Sequence, residues 1–233
     1  MDIRCLPLVA AALCLSSCVI DTVTGPVRLD SRTIELDASE RGHVNLTMGA
    51  GTLTIGGGAR KLLNADFTYN VASWQPEVRY SSTGTHGDLT IRQPESHAQI
   101  GHTRYEWDLA LNNDVPMDLS LHFGAGEARL ALGSLSLRTV EVNMGVGKLD
   151  MDLRGNPKHN YDVRIRGGIG EATILLPAGV GVYAEGAGGI GEFRTQGLHR
   201  QYGYWVNDAY EDSKVRIHLD IHGGIGSIRL IAD

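Results

Sequence analysis

The chain has 233 residues, a formal net charge of −6 and 42% hydrophobic side chains. That is enough apolar matter for one large unit or two ordinary domains, while the acidic balance argues against a nucleic-acid surface and against a strong pull toward anionic lipid head groups. The 3 cysteines, Cys5, Cys14 and Cys18, all lie at the N-terminus, so the remainder can form neither a disulfide nor a thiolate metal site.

Residues 1–18 have the anatomy of an export signal: Arg4 near the start, an apolar run from Leu6 to Leu15, then small residues before a cysteine. The run is shorter than the roughly 20 residues a spanning helix needs. Leu15-Ser16-Ser17-Cys18 reads as a lipobox, which predicts cleavage before Cys18 and lipid on its sulfur and amine. Cys14 is the poorer candidate because Leu13 before it is large. Buried at about 0.8 kcal/mol per CH₂, several acyl chains give stable anchoring. Val19 follows the cysteine; by the rule that an aspartate there retains lipoproteins at the inner membrane, a Gram-negative organism would place this one in the outer membrane. The expected organisation is a signal at 1–18, a tether at 19–32 and one domain at 33–233.

Downstream the chain repeats itself. Gly-x-Gly units stand at Gly49–Gly51, Gly124–Gly126, Gly145–Gly147, Gly168–Gly170, Gly189–Gly191 and Gly224–Gly226, and the first glycines from 124 to 189 are 21, 23 and 21 residues apart. The chain's 30 glycines are nearly double the usual share of about 7%. Each unit is flanked by alternation, as in Val140, Val142, Met144 before and Leu149, Met151, Leu153 after, so each flank predicts a strand with one buried face. No segment holds a helical period; residues 59–65 could make one or two helical turns at most.

A chain that strands, bends and strands again needs glycine at the bend. One bend per coil of about 21 residues, with coils about 4.8 Å apart, predicts an all-β, single-domain β-solenoid. An up-and-down barrel shares the alternation but gives less reason for the period. Two gaps break it. From Gly51 to Gly124 the distance suggests three coils with about 10 residues over; from Gly189 to Gly224 the excess falls around residues 199–214. The first gap holds Trp74, Tyr80, Tyr105 and Trp107, the second Tyr202, Tyr204, Trp205 and Tyr210. Aromatics there either cap the ends of the stack or form a recognition surface.

The order of several stretches, Trp107–Asn112, Val115–Leu119, Phe123–Glu127, Asn143–Gly147, Gly167–Glu171, Leu176-Pro177 with Gly181-Val182, and Val206–Tyr210, resembles the toast-rack family of bacterial envelope proteins. That family is related to the cell-wall-active antibiotic response proteins and to adhesin domains with similar glycine-rich repeats. The resemblance covers about residues 40–233. It implies a β-solenoid, no known catalysis, and roles in envelope stress sensing, signalling or adhesion; the lipobox in place of membrane helices argues against transmembrane signalling.

Chemistry-bearing patterns are few. The glycine units lead into strands, so they are not dinucleotide loops, and the aspartates of calcium-binding nonapeptides are missing. Of 9 histidines only His218 and His222 are four apart, about 13 Å along a strand and too far for one metal. Asn112-Asn113-Asp114 before Pro116 reads as a turn, and Asp150 with Asp152 as a solvated row rather than two carboxylates facing across a cleft. No cofactor, metal or catalytic residue is expected. The expectation is a non-enzymatic envelope protein, membrane-held through Cys18, presenting Tyr202, Tyr204, Trp205 and Tyr210 to an envelope protein or wall polymer. The alternative is a structural protein that self-associates through its end coils into filaments.

Overall fold

A computed structural model describes residues 24–95 and 102–233; Cys18 and the expected signal lie outside them. The strands are β1 (Arg28–Ile34), β2 (Arg41–Ala59), β3 (Leu63–Tyr69), β4 (Glu77–Thr83), β5 (His86–Arg92), β6 (Tyr105–Asn112), β7 (Met117–Ala131), β8 (Leu137–Asp152), β9 (Tyr161–Leu176), β10 (Gly181–Gln196), β11 (His199–Gln201), β12 (Tyr204–Val206) and β13 (Arg216–Ala232). β1 begins inside the expected tether, so the sheet takes up residues 28–32. The helical turns that residues 59–65 could have made are absent: β2 runs to Ala59 and β3 starts at Leu63. Leu63, Ala65, Phe67 and Tyr69 alternate into the core, and strand pairing on both sides of β3 outweighs local helix propensity.

Each long strand bends at its Gly-x-Gly unit into a first and a second arm. β7 shows the pattern: Leu119, Leu121 and Phe123 are buried in the first arm, Gly124–Gly126 are exposed at the corner, and Ala128 and Leu130 are buried in the second. The two arms enclose the core between them. Gly147 shows why the corner needs glycine. Its φ is 142°, and a Cβ there would be driven into the carbonyl oxygen of Gly126 one coil back. The same contact recurs along the column, Gly126 on Gly51, Gly170 on Gly147, Gly226 on Gly170 and Gly191 on Gly226.

That column also reveals the order of the coils. The parallel stack runs β2, β7, β8, β9, β13, β10, with the last strand of the chain inserted between β9 and β10. β13 brings Ile217, Leu219, Ile221 and Leu230 to the interior, all essentially inaccessible. β10 has Gly186 opposite Ile221 and Thr195 opposite Leu230. The more apolar strand therefore takes the slot covered on both sides, and the weaker one takes the end. The loop at 177–180 crosses the end of β13: Ala178 N–H donates to the Asp233 carbonyl at 3.2 Å, and Asp233 N–H to that of Leu176 at 3.2 Å. Buried Asn207 clamps the loop. Its Oδ1 accepts from Val182 N–H at 2.9 Å and its Nδ2 donates to the Val180 carbonyl at 2.7 Å.

The 73-residue gap is likewise not three plain coils. β5 pairs with the first arm of β2 and β6 with its second arm, so together they make one divided coil. The rest turns antiparallel: β4 lies on β5, and β3 with β1 lies on β6. Inside this end Phe67, Trp74, Tyr105 and Trp107 pack edge to face, with ring centroids 5.4–5.7 Å apart. The aromatics of this gap thus cap the stack. Asn112 makes the turn its sequence suggests, accepting from the N–H groups of Asp114 (2.8 Å) and Val115 (3.2 Å) and donating to the Ala59 carbonyl at 3.1 Å.

Candidate functional site

The opposite end of the stack is built from the first arm of β10, the β11–β12 hairpin, the segment 207–215 and the outer face of β13. Period-two alternation decides which way each aromatic faces. Tyr183 points outward from β10, and Tyr204 packs on it at 4.5 Å between centroids, tilted 34°. Tyr210 lies on the other side of Tyr183 at 5.9 Å, with the Arg216 guanidinium 5.0 Å above its ring. His218 approaches Tyr183 at 5.0 Å. The result is an outer row of Arg216, Tyr210, Tyr183 and Tyr204. Desolvation in this row pushes the Tyr183 hydroxyl above its ordinary pKa, and its hydrogen bond with Tyr204 adds to the effect.

Trp205 faces the other way. It sits opposite inward-facing Ala184, stacks on Phe193 at 6.2 Å and 27°, and carries Arg200 5.2 Å over its ring. Tyr202 stands alone at the hairpin tip, 93% exposed. With Gly203 it forms the two-residue loop joining β11 and β12, at φ 50° and 94°. Such a loop needs positive φ at both positions, where Asn-Gly is the usual choice. Among the described residues Tyr202 is the sole non-glycine residue with positive φ. A bulky aromatic held there, fully in water, costs stability and contributes no packing.

The four tyrosine and tryptophan positions singled out from the sequence therefore divide. Tyr204 and Tyr210 share the outer row, Trp205 closes the end of the core, and Tyr202 projects beyond both. Tyr183 and Arg216 complete the row, His218 lies beneath it, and all three were missed. Alternation through Val182-Tyr183-Ala184 was the signal for Tyr183. Below the row, His218 on β13 lies between Asp162 of β9 (Nδ1 to Oδ1, 3.4 Å) and Glu185 of β10 (Nε2 to Oε1, 3.2 Å). His222 instead meets Asp220 at 2.8 Å. The two histidines work separately, and no cluster of three metal-ligating side chains exists among the described residues. Asp150 and Asp152 pair with Lys148 (2.7 Å) and Arg154 (2.8 Å) on the outer face.

The corner beneath this end is less filled. At the inner corner position β2, β7 and β8 carry Met48, Phe123 and Met144; at the same register β9, β13 and β10 carry Gly167, Gly223 and Gly188. An apolar cavity of ≈ 80 Å³ results, lined by Met144, Leu149, Ile165, Ile221, Ile228 and Phe193 among others.

These features define a one-sheet β-solenoid with glycine corners and an aromatic end. The family model for the N-terminal domain of toast_rack, DUF2154, matches residues 23–175, and the chain belongs to that family. A crystal structure of a "putative cell adhesion protein" from Clostridium sporogenes is 32% identical, with a TM-score of 0.84, over 89% of this chain and 100% of that one. A "putative adhesin" from Bacteroides fragilis is 8% identical over 87% of this chain and 97% of its own, with a TM-score of 0.30. No curated protein matches the chain. No helix among the described residues is long and apolar enough to cross a membrane.

Proposed function

We propose that this protein is a non-enzymatic adhesion protein of the bacterial envelope. Lipid on Cys18 holds it at a membrane, and the hairpin end of the solenoid meets an envelope protein or wall polymer. Tyr202 makes the leading contact; Tyr204 and Tyr210, braced by Tyr183, form the flank; Trp205 fixes the hairpin to the core. The observation that carries this reading is Tyr202 itself: a tyrosine at φ 50° and 93% exposure is unfavourable for folding, so its benefit lies outside the fold. Two other facts support it. The similar Clostridium sporogenes structure bears a cell-adhesion name, and tyrosine supplies large contact area at low entropy cost.

The test is binding of the full chain, in detergent, to isolated cell walls and to envelope membranes. Replacing Tyr202 with Asn keeps the turn and removes the aromatic, so binding should fall by about tenfold or more, as for an interface hot spot, while thermal stability stays level or rises. Unchanged binding of Tyr202→Asn and of Tyr204→Ala would remove this reading. The anchor is tested separately: Cys18→Ala should abolish labelling by a fatty-acid analogue and release the protein from the membrane pellet.

A further inference from the structure

The two ends of the sheet are finished differently, and at the β10 end the second arm is an open edge. On the first arm of β10 the hairpin strand β12 pairs at Tyr183 and Ala184. On the second arm, Gly191–Gln196, β13 is paired on one side and no strand of the described residues lies on the other. Inward-facing residues of this fold aim their N–H groups at the next coil. Met117 donates to the Ser136 carbonyl at 2.9 Å, Leu132 to that of Asp152 at 2.8 Å, and Leu153 to that of Leu175 at 2.9 Å. Phe193 and Thr195 stand at the inward register, opposite Ile228 and Leu230. The same polarity therefore aims their N–H and C=O groups at the open edge. The residues alternating with them are charged and exposed: Glu192 and Arg194, 53% and 64% accessible, pair with each other at 2.6 Å along the strand, and exchange partners across the proposed edge.

We propose that two copies of this chain join through this edge as a closed, two-fold dimer, with the second arms of β10 antiparallel and Phe193 opposite Phe193 of the second copy. Three observations select it. Centred on Phe193, the pairing sets Glu192 against Arg194 of the second copy and the reverse, giving two opposite-charge cross-strand pairs. Centring on Arg194 would oppose like charges. Phe193, only partly buried against Trp205 and the core, becomes covered, so the two cores continue into one another. The other end of the stack has two edges: β4, which pairs with β5 alone and whose Glu77 already accepts from both Arg79 and Arg92 at 3.0 Å, and β1. There β1 carries Arg28, Asp30 and Arg32 at the register of Tyr69, Phe67 and Ala65, so strand addition would bury charges, a common guard on edge strands. The β10 contact uses the same patch on both copies, so it closes at two, as isologous interfaces do. This proposal stands independently of the adhesion reading.

Sedimentation velocity of the full chain in mild detergent, over a concentration series, tests it. Wild type should sediment as a reversible dimer with no larger species. Glu192→Arg and Arg194→Glu should each raise the dimer dissociation constant by about tenfold or more, about 1.4 kcal/mol. The double exchange Glu192→Arg with Arg194→Glu should restore it. Thr195→Pro, which removes an edge N–H that no described strand accepts, should give a monomer with an unchanged circular dichroism spectrum. Arg79→Glu, the same kind of charge change on β4, should leave the dimer intact. A strict monomer overturns the proposal, as do open-ended oligomers or a dimer indifferent to both single reversals.

Discussion

The two ends of this solenoid solve the same problem with different materials. At the β1–β4 end, antiparallel strands lie across both arms, aromatic rings plug the interior, and Met48 and Phe123 fill the corner. At the β10 end, a short hairpin covers one arm, glycines stand at the corner register, and Phe193 and Trp205 are only half buried. A stack of parallel coils has no intrinsic stop, because each coil buries its apolar side on its neighbours. The first end lays charged strands over a plugged interior. The second keeps aromatic and backbone groups accessible, and those are the groups a binding surface needs.

The largest contrast lies between the packed glycine column and the inner corner, which is open toward the β10 end. Gly147→Ala forces a Cβ into the Gly126 carbonyl at φ 142°, and should cost about 3 kcal/mol or more, read as a collapse of the thermal transition. Gly167→Ala, at the open inner corner with nothing within 4 Å of its Cβ, should change stability by no more than about 1 kcal/mol and can raise it. If both collapse equally, the inner corner is not open as described.

The aromatic plugs form the next contrast. Trp107→Ala removes a ring that is 1% exposed and should cost about 3–5 kcal/mol in chemical denaturation. Trp205→Ala, at the half-buried end, should cost about 1–2 kcal/mol. A smaller effect is expected at the hairpin tip, where Tyr202→Asn should gain about 0.5–1 kcal/mol because Asn tolerates positive φ better than Tyr.

The mildest effect is on pH. Hydrogen bonds from Ser39 and Tyr80 hold the Asp37 carboxyl below its usual 3.8. Arg92 does the same for Glu77 and Arg104 for Glu106, both normally 4.5. Arg154 holds Asp152 down as well. A carboxyl depressed in the folded state contributes stability that is present above its unfolded pKa and lost as pH falls through its folded one. Stability should therefore be flat above about pH 5 and decline below about pH 4. Asp37, Glu77 and Glu106 belong to the β1–β6 end, so hydrogen exchange at low pH should rise there first. Asp37 is exposed and the other three are partly so, which keeps the effect small.

Much of this was legible in particular residues. The Gly145–Gly147 unit between alternating flanks announces a bent strand, and Asn112 before Pro116 announces a turn. Adjacent Tyr204 and Trp205 had to face opposite ways once β12 was recognised as a strand. The strain at Tyr202 was hidden, because a two-residue loop of Tyr-Gly does not look like a hairpin turn. Residues 59–65 misled because short helical compositions are common in strands that are paired on both sides.

The residues alone determined the unit of construction. Side-chain alternation and glycine spacing are local properties, and they fix a two-armed strand with one greasy face whatever lies next to it. Which coil lies beside which is a different matter. The corners of β9, β10 and β13 share a register and fit one another interchangeably, so no local signal distinguishes the order of the chain from the order of the stack. Only the packed molecule chose, by placing β13, with its run of Ile217, Leu219 and Ile221, where both sides are covered. That left β10, with Gly186 and Thr195, at the boundary with water.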